Sequence, residues 1–400
     1  VNHNAKKTKV CFVIATQGLG LGGHYRSLET IVKALREQVE CMVINMGMSL
    51  SPVIASIPVT VHHIPFNGLN IVGTVRQVVG ILKREQIDLL NVFGGCPLLV
   101  AELASKIVKK PLVFTKCGGP NPVRSHRFYP VFDHMIVFSK ENQNFFQSHP
   151  RYANTEIHFL PNRVTQVSSN PEKVAKLRAR LAPHKSTFLI ISRFCQVYKR
   201  NMCQGVDLVR RLNAEGYSCQ LLIVGTPEDP DVVDDIAHLG SGNLVTVNDT
   251  EFTLNASELI DVADFVIGTG RGFMEAASRG KVLLTPLANS PFPLLITKDT
   301  FPAVFATNFS PRNQIENLDV EANVGRIIRV FEDDDYRAEL ANLSSRLFND
   351  YFNVDNVVER YRKLFGTIRY RSRFRFLNLL YGLYVLKSRS PYWIPSGRSK

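Results

Sequence analysis

The chain has 400 residues, of which 45% are hydrophobic and 21% charged; at about 100–200 residues per domain this predicts two or three globular domains and excludes a disordered protein. Its formal charge of +13 is concentrated at one end. Eleven Lys or Arg and no Asp or Glu lie between Arg360 and Lys400, leaving +2 for the first 359 residues, which predicts one local basic contact and excludes a surface coated for nucleic acid.

No apolar run reaches the ~18 residues of a membrane-spanning helix. The opening "VNHNAKKTKVCFVIAT" holds lysines but only a strand-length apolar segment, so no secretory signal is expected. Cys11, Cys41, Cys96, Cys117, Cys195, Cys203 and Cys219 are odd in number and form no C-x-x-C. That pattern predicts reduced thiols and a cytoplasmic protein.

In chain order, "KVCFVIAT" (9–16) reads as a buried strand, and "HYRSLETIVKALRE" (24–37) as a helix from its apolar spacing. Strand-like runs follow at 41–46, 59–64, 89–93, 111–117 and 134–139. A second series begins after "IHFLPNRV" (157–164), with runs at 187–192, 220–225, 243–248, 264–269 and 281–286. Such alternation predicts an α/β protein of two mainly parallel sheets with helices on both faces. The expected divisions are 1–165, 166–350 and a basic, aromatic tail over 351–400. Ligands of open parallel sheets bind beyond the carboxyl ends of the strands, so candidate residues are sought there, in a cleft formed by two opposed domains.

Three stretches qualify. "QGLGLGGHYRSL" carries Gly18, Gly20 and Gly23 at G-x-G-x-x-G spacing between a strand and a helix, where backbone amides can hold an anion. A dinucleotide site also needs an acid at the end of the second strand; "CMVINMGM" offers Asn45. A tight turn and a phosphate or sugar loop both remain open. In "IISRFCQVYKRN", Arg193 closes a strand and Lys199 precedes a helix, two cations suited either to a departing diphosphate or to plain solvation. In "VIGTGRGFMEAASRGK", Gly268, Gly270 and Gly272 permit close backbone approach and Glu275 lies in the first helical turn. It can accept from ribose hydroxyls or simply offset the helix dipole.

Taken together and in order over residues 9–290, these stretches resemble the family 4 glycosyltransferases, retaining enzymes of the GT-B fold. The resemblance implies two Rossmann-like domains facing across a cleft, a nucleotide-sugar donor (UDP- or GDP-linked), a glycan or lipid-linked acceptor, and neither cofactor nor obligatory metal. It places Arg193 and Lys199 on the donor diphosphate and Glu275 on the ribose. Gly22, Gly23, Gly270, Arg271 and Gly272 line the donor, and Gly20, His24 and Gly118 lie on the acceptor side. "FLPNRV" is similar to the Pro-Asn-Gly-Val junction, with Arg163 for glycine. Two positions depart: Ile267 stands where a second glutamate is common, and in "TKCGGP" Cys117 stands for a histidine, with Lys116 beside it as a candidate catalytic residue.

Other features carry structural readings. "EDDD" (332–335) precedes a helix-like run and reads as an acidic N-terminus. His62 and His63 alternate on a strand and so point apart. In "RYRSRFRFLNLLYGLYVLK" (369–387), arginines alternate with aromatic residues before an apolar run. This suits an anionic membrane surface, a protein partner or packing back on the body. The function expected is therefore glycosyl transfer in bacterial cell-envelope polysaccharide synthesis, cytoplasmic or on the cytoplasmic membrane face. A nicotinamide-dependent oxidoreductase, a non-catalytic GT-B scaffold and a sugar-nucleotide epimerase are the rivals.

Overall fold

The computed structural model describes residues 7–122, 129–240, 242–371 and 376–388. They divide into two compact units. The first runs to Arg163 and resumes at Val354; the second is Val164–Asn353.

The sheet of the first unit contains β1 (Lys9–Ala15), β2 (Glu40–Met46), β3 (Thr60–Ile64), β4 (Leu89–Phe93), β5 (Leu112–Lys116), β6 (His134–Val137) and β7 (Glu156–Phe159), in the order β3-β2-β1-β4-β5-β6-β7. Every pairing is parallel. Helices cover both faces, so the central strands are apolar without alternation. Cys11 and Val13 join one core cluster; Val10, Phe12 and Ile14 join the other. Helix Gly23–Leu35 buries Tyr25, Leu28, Ile31, Val32 and Leu35, the i, i+3, i+4 stripe of a core-facing helix. Helix Val358–Thr367 adds Tyr361 and Phe365 to the same cluster.

The last described element, helix Phe376–Ser388, also belongs to this unit. It presses Gly382 against helix Leu98–Val108, where an added Cβ would lie 2.7 Å from the Leu99 Cβ. Asn378 is buried, accepts from the Val131 amide at 2.9 Å and donates to the Val131 carbonyl at 2.9 Å. Its opposite face leaves Phe376, Leu377, Leu380, Leu383 and Tyr384 exposed. The apolar run thus packs back on the body along one face only. Of the arginine alternation before it, Arg369 and Arg371 are described, while Arg373 and Arg375 lie outside the described residues.

The second unit holds β8 (Ser186–Ile191), β9 (Cys219–Val224), β10 (Leu244–Val247), β11 (Phe265–Ile267), β12 (Val282–Thr285) and β13 (Leu294–Leu295), in the order β10-β9-β8-β11-β12-β13. All pair in parallel except β13, antiparallel to β12. Helix Asp334–Leu347 begins with the acidic run. Asp333 caps it by accepting from the Tyr336 amide at 2.9 Å and pairs with Arg329 at 2.8 Å. The paired histidines diverge: His63 Nε2 sits 3.0 Å from the Gly47 carbonyl and His62 faces Glu85.

Candidate functional site

In each sheet the strand order reverses beside the first strand of the unit, between β1 and β4 and between β8 and β11. Loops leaving two such strands open a crevice at their carboxyl ends. The loops of all three candidate stretches leave β1, β8 or β11.

In the second unit, Arg193 leaves β8 and Gly268–Gly272 leave β11. Pairing of β8 with β9 continues past both strands, with Ser192 N donating to Val224 O at 3.0 Å and Phe194 N to Thr226 O at 2.9 Å. This fixes the backbone that carries Arg193. Its Nη1 donates to both oxygens of Glu228, at 3.0 and 2.9 Å, and the guanidinium lies over the Tyr198 ring, 5.4 Å from its centroid. Burial opposes its charge, but the Glu228 carboxylate outweighs that and holds the pKa above the ordinary value. Lys199, in the first turn of helix Gln196–Ala214, pairs with Asp235. That hydrogen bond raises its pKa also. Both groups are firm cations. Each has its own acid, so the structure does not join Arg193 and Lys199 to one shared group.

The β11 exit is built for close approach. Gly268 is structural, because a Cβ there would lie 2.7 Å from the Phe273 Cα. Gly270 opens helix Gly270–Ala277 in the left-handed region, φ 48°, which favours glycine. At Gly272 a Cβ would meet nothing within 4 Å. Arg271 Nε donates to Glu275 Oε1 at 2.6 Å, an i,i+4 pair with each side chain 15% exposed. Arg271, in the first turn, and Glu275, in the second turn and not the first as expected because the helix starts at Gly270, are therefore brought together. Ile267 ends β11 and is buried, so it meets no ligand in the way a glutamate there would.

In the first unit, Gly18 and Gly20 have φ of 58° and 67°. Gly20 is clamped: Ser51 Oγ donates to its carbonyl at 2.6 Å, and a Cβ would lie 2.8 Å from the Ser51 Cβ. Gly22 caps helix Gly23–Leu35 with no side chain, and a Cβ at Gly23 would meet nothing within 4 Å. His24 is exposed, its ring 3.8 Å from that of Tyr25. Tyr25 ties the loop down, accepting from the Gln17 amide at 2.8 Å. At the end of β2, Asn45 Oδ1 accepts from Thr16 Oγ1 at 2.6 Å. This position supplies no carboxylate to a ribose.

Lys116 ends β5. Its Nζ donates to the carbonyls of Gly118 at 2.9 Å and Pro120 at 3.4 Å, and it faces the Tyr129 ring at 5.9 Å. It thus supports the Gly118 turn, φ 106°. Cys117 does not replace a histidine chemically, since burial pushes its thiol up to about 12 and keeps it protonated. Arg163 is buried, donates to the Pro161 carbonyl at 2.8 Å and lies 5.0 Å from the Phe138 ring centroid.

Two features at these exits escape the sequence reading. Gly94 and Gly95 leave β4, across the switch from the first glycine loop, with Gly94 at φ 77°. "VFGGCP" carries that signal, a strand ending in two glycines. Asn308 and Phe309 are left-handed at φ 60° and 53°, an uncommon pair for non-glycine residues. Phe309 accepts from the Gly270 amide at 3.3 Å and stacks on Phe273 at 3.7 Å, bracing the helix start. Nothing in "ATNFSP" signals this.

Two α/β units of this topology define the GT-B fold. No protein-family model and no curated protein matches the sequence. Among solved structures the chain is similar to a glycosyltransferase from Rickettsia africae, at 14% identity over 90% of this chain and 98% of that one, TM-score 0.69. It is similar to HepE of Anabaena, solved with UDP and glucose, at 17% identity over 90% and 100%, TM-score 0.64. A UDP-GlcNAc 2-epimerase from Neisseria meningitidis, bound to UDP-GlcNAc, also matches, at 12% over 90% and 100%, TM-score 0.57. At these identities the likeness establishes the fold.

Proposed function

We propose that the chain is a retaining glycosyltransferase of the family 4 type. It moves a sugar from a UDP- or GDP-linked donor to a glycan or lipid-linked acceptor in bacterial cell-envelope polysaccharide synthesis. The observation that carries this reading is the β8/β11 exit, where a strand-end arginine stands on one loop and an open glycine helix start with an Arg–Glu pair stands on the other. As the bond from the anomeric carbon to the diphosphate oxygen breaks, the bonding electrons leave with the diphosphate. Cations and helix-start amides stabilise that growing charge. Glu275 accepts from the ribose hydroxyls, and the Arg271 hydrogen bond orients it. The internal use of Asn45 by Thr16 argues against a nicotinamide cofactor in the first loop.

A thermal-shift panel tests the donor class. At 100 Kd of UDP or GDP the midpoint should rise by about 5–10 °C, from the ~2.7 kcal/mol of mass action, with no rise for NAD. Glu275→Gln should lower nucleoside affinity about 10-fold, in line with loss of a charged hydrogen bond. A response to NAD alone would overturn the proposal. The epimerase-like neighbour supports a second reading, which predicts interconversion of a UDP-sugar with no acceptor present.

The tail helix supports membrane association. Phe376, Leu380, Leu383 and Tyr384 recur at i, i+4, i+7 and i+8 on its exposed face, and Arg369 and Arg371 precede the helix in the chain. Each basic residue adds about 1 kcal/mol at an anionic surface. Leu380→Glu with Leu383→Glu should abolish co-sedimentation with phosphatidylglycerol vesicles while the thermal midpoint holds, because neither side chain is in the core. Undiminished sedimentation would count against a lipid-facing helix.

A further inference from the structure

The amino ends of β6 and β7 carry a cluster of ligating groups, at the opposite end of the strands from the glycine loops. His134 and Glu156 are the first residues of the two strands and lie opposite each other in register. His158, two residues on, shares the face of Glu156. One ligand atom from each of the three lies within 4.8 Å of the other two. His134 is only 7% exposed, its Nδ1 is 3.4 Å from Glu156 Oε2, and the two imidazoles stack 5.9 Å apart at 20°. Among the described residues, Nδ1 of His134 and Nε2 of His158 are both buried without a hydrogen-bond partner. A buried polar atom of this kind calls for an explanation.

We propose that His134, His158 and Glu156 bind a divalent transition-metal ion of the zinc class. Two imidazoles and a carboxylate are a donor set for Zn²⁺, with water completing a tetrahedron. Bonds of about 2.0–2.1 Å separate the ligand atoms of such a tetrahedron by about 3.4 Å. The His134–Glu156 spacing already meets this, and Glu156, whose side chain is 58% exposed, is free to swing. The surrounding charge is balanced: Asp133 and Glu156 face the imidazoles against Arg371 and Arg360. Because β7 is the edge strand of its sheet, the ion fastens that edge to β6. Its role is structural, remote from the β1 and β4 exits.

The test uses untagged, metal-stripped full-length protein titrated with Zn²⁺ and, separately, with Co²⁺. One equivalent should bind, Co²⁺ should develop tetrahedral d–d absorption without a thiolate charge-transfer band, and saturating Zn²⁺ should raise the thermal midpoint. Glu156→Gln and His158→Gln, both at incompletely buried positions, should each weaken binding by about 10-fold or more. Their midpoints without metal should remain close to that of the parent protein. Absence of saturable binding overturns the proposal. So does unchanged affinity when the two substitutions are combined, or a thiolate band, which would place the ion on cysteines instead.

Discussion

Arg193→Ala should weaken binding of the preferred nucleoside diphosphate by about 10- to 100-fold, the worth of one or two hydrogen bonds to a charged group. The thermal midpoint should stay within a degree or two, because the side chain is 46% exposed and its pairing with Glu228 is of the surface kind. Glu228 sharpens the test. In the structure described here it holds only Nη1, so a diphosphate must either share the guanidinium or displace the carboxylate. Glu228→Gln removes the competitor and should leave affinity equal or higher. If the Arg193–Glu228 pair were instead a structural clamp, both variants would lose stability together and neither would alter affinity selectively. Titration calorimetry with UDP and GDP on the three proteins separates the outcomes, and unchanged affinity in Arg193→Ala removes the residue from the donor site.

The α/β architecture was legible because strands buried on both faces read as unbroken apolar runs separated by helix-length stretches. β7 and β13 were not: β7 is a half-buried edge strand whose "EIHF" mixes charged and apolar residues, and β13 is only two residues long, directly after Pro293. The glycine loops were legible as strand–glycine–helix punctuation. Their differences were not: Gly20 is held by Ser51, 31 residues away, and that partner has no sequence signature. Likewise Arg193 and Lys199 were recognisable as strand-exit cations, while their acids Glu228 and Asp235 arrive from the β9 exit and the following helix. His134, Glu156 and His158 are brought together only by the register of β6 on β7. The tail shows the opposite failure. The apolar composition of that run does not reveal that its one asparagine, Asn378, is buried while Leu377, Leu380 and Leu383 are exposed.

Gly225→Ala should be the most damaging single methyl in the second unit, and the reason bears on the donor site. Gly225 follows β9 where the chain crosses Ser192, and an added Cβ would lie 1.6 Å from the Ser192 carbonyl oxygen and 2.7 Å from its carbonyl carbon. Both are backbone atoms, so no rotamer relieves the clash. The hydrogen bonds at Ser192 and Phe194 on either side must open to admit it. A cost of about 4 kcal/mol or more is expected, beyond the range of most substitutions, and a fall in midpoint of about 8–16 °C. Any folded fraction would carry Arg193 displaced and should bind nucleoside diphosphate poorly. Gly272→Ala supplies the contrast. Its Cβ meets nothing within 4 Å, and alanine in a helix is favoured over glycine by about 0.5–1 kcal/mol, so stability should hold or rise. If a donor approaches the helix start there, the methyl group should obstruct it and lower affinity. Gly225 then serves the site through the backbone that presents Arg193, Gly272 through the space it leaves open, and circular-dichroism melts paired with nucleotide titrations tell these roles apart. A stable Gly225→Ala protein would mean that β8 and β9 do not cross this closely, and with that the fixed presentation of Arg193 would be lost.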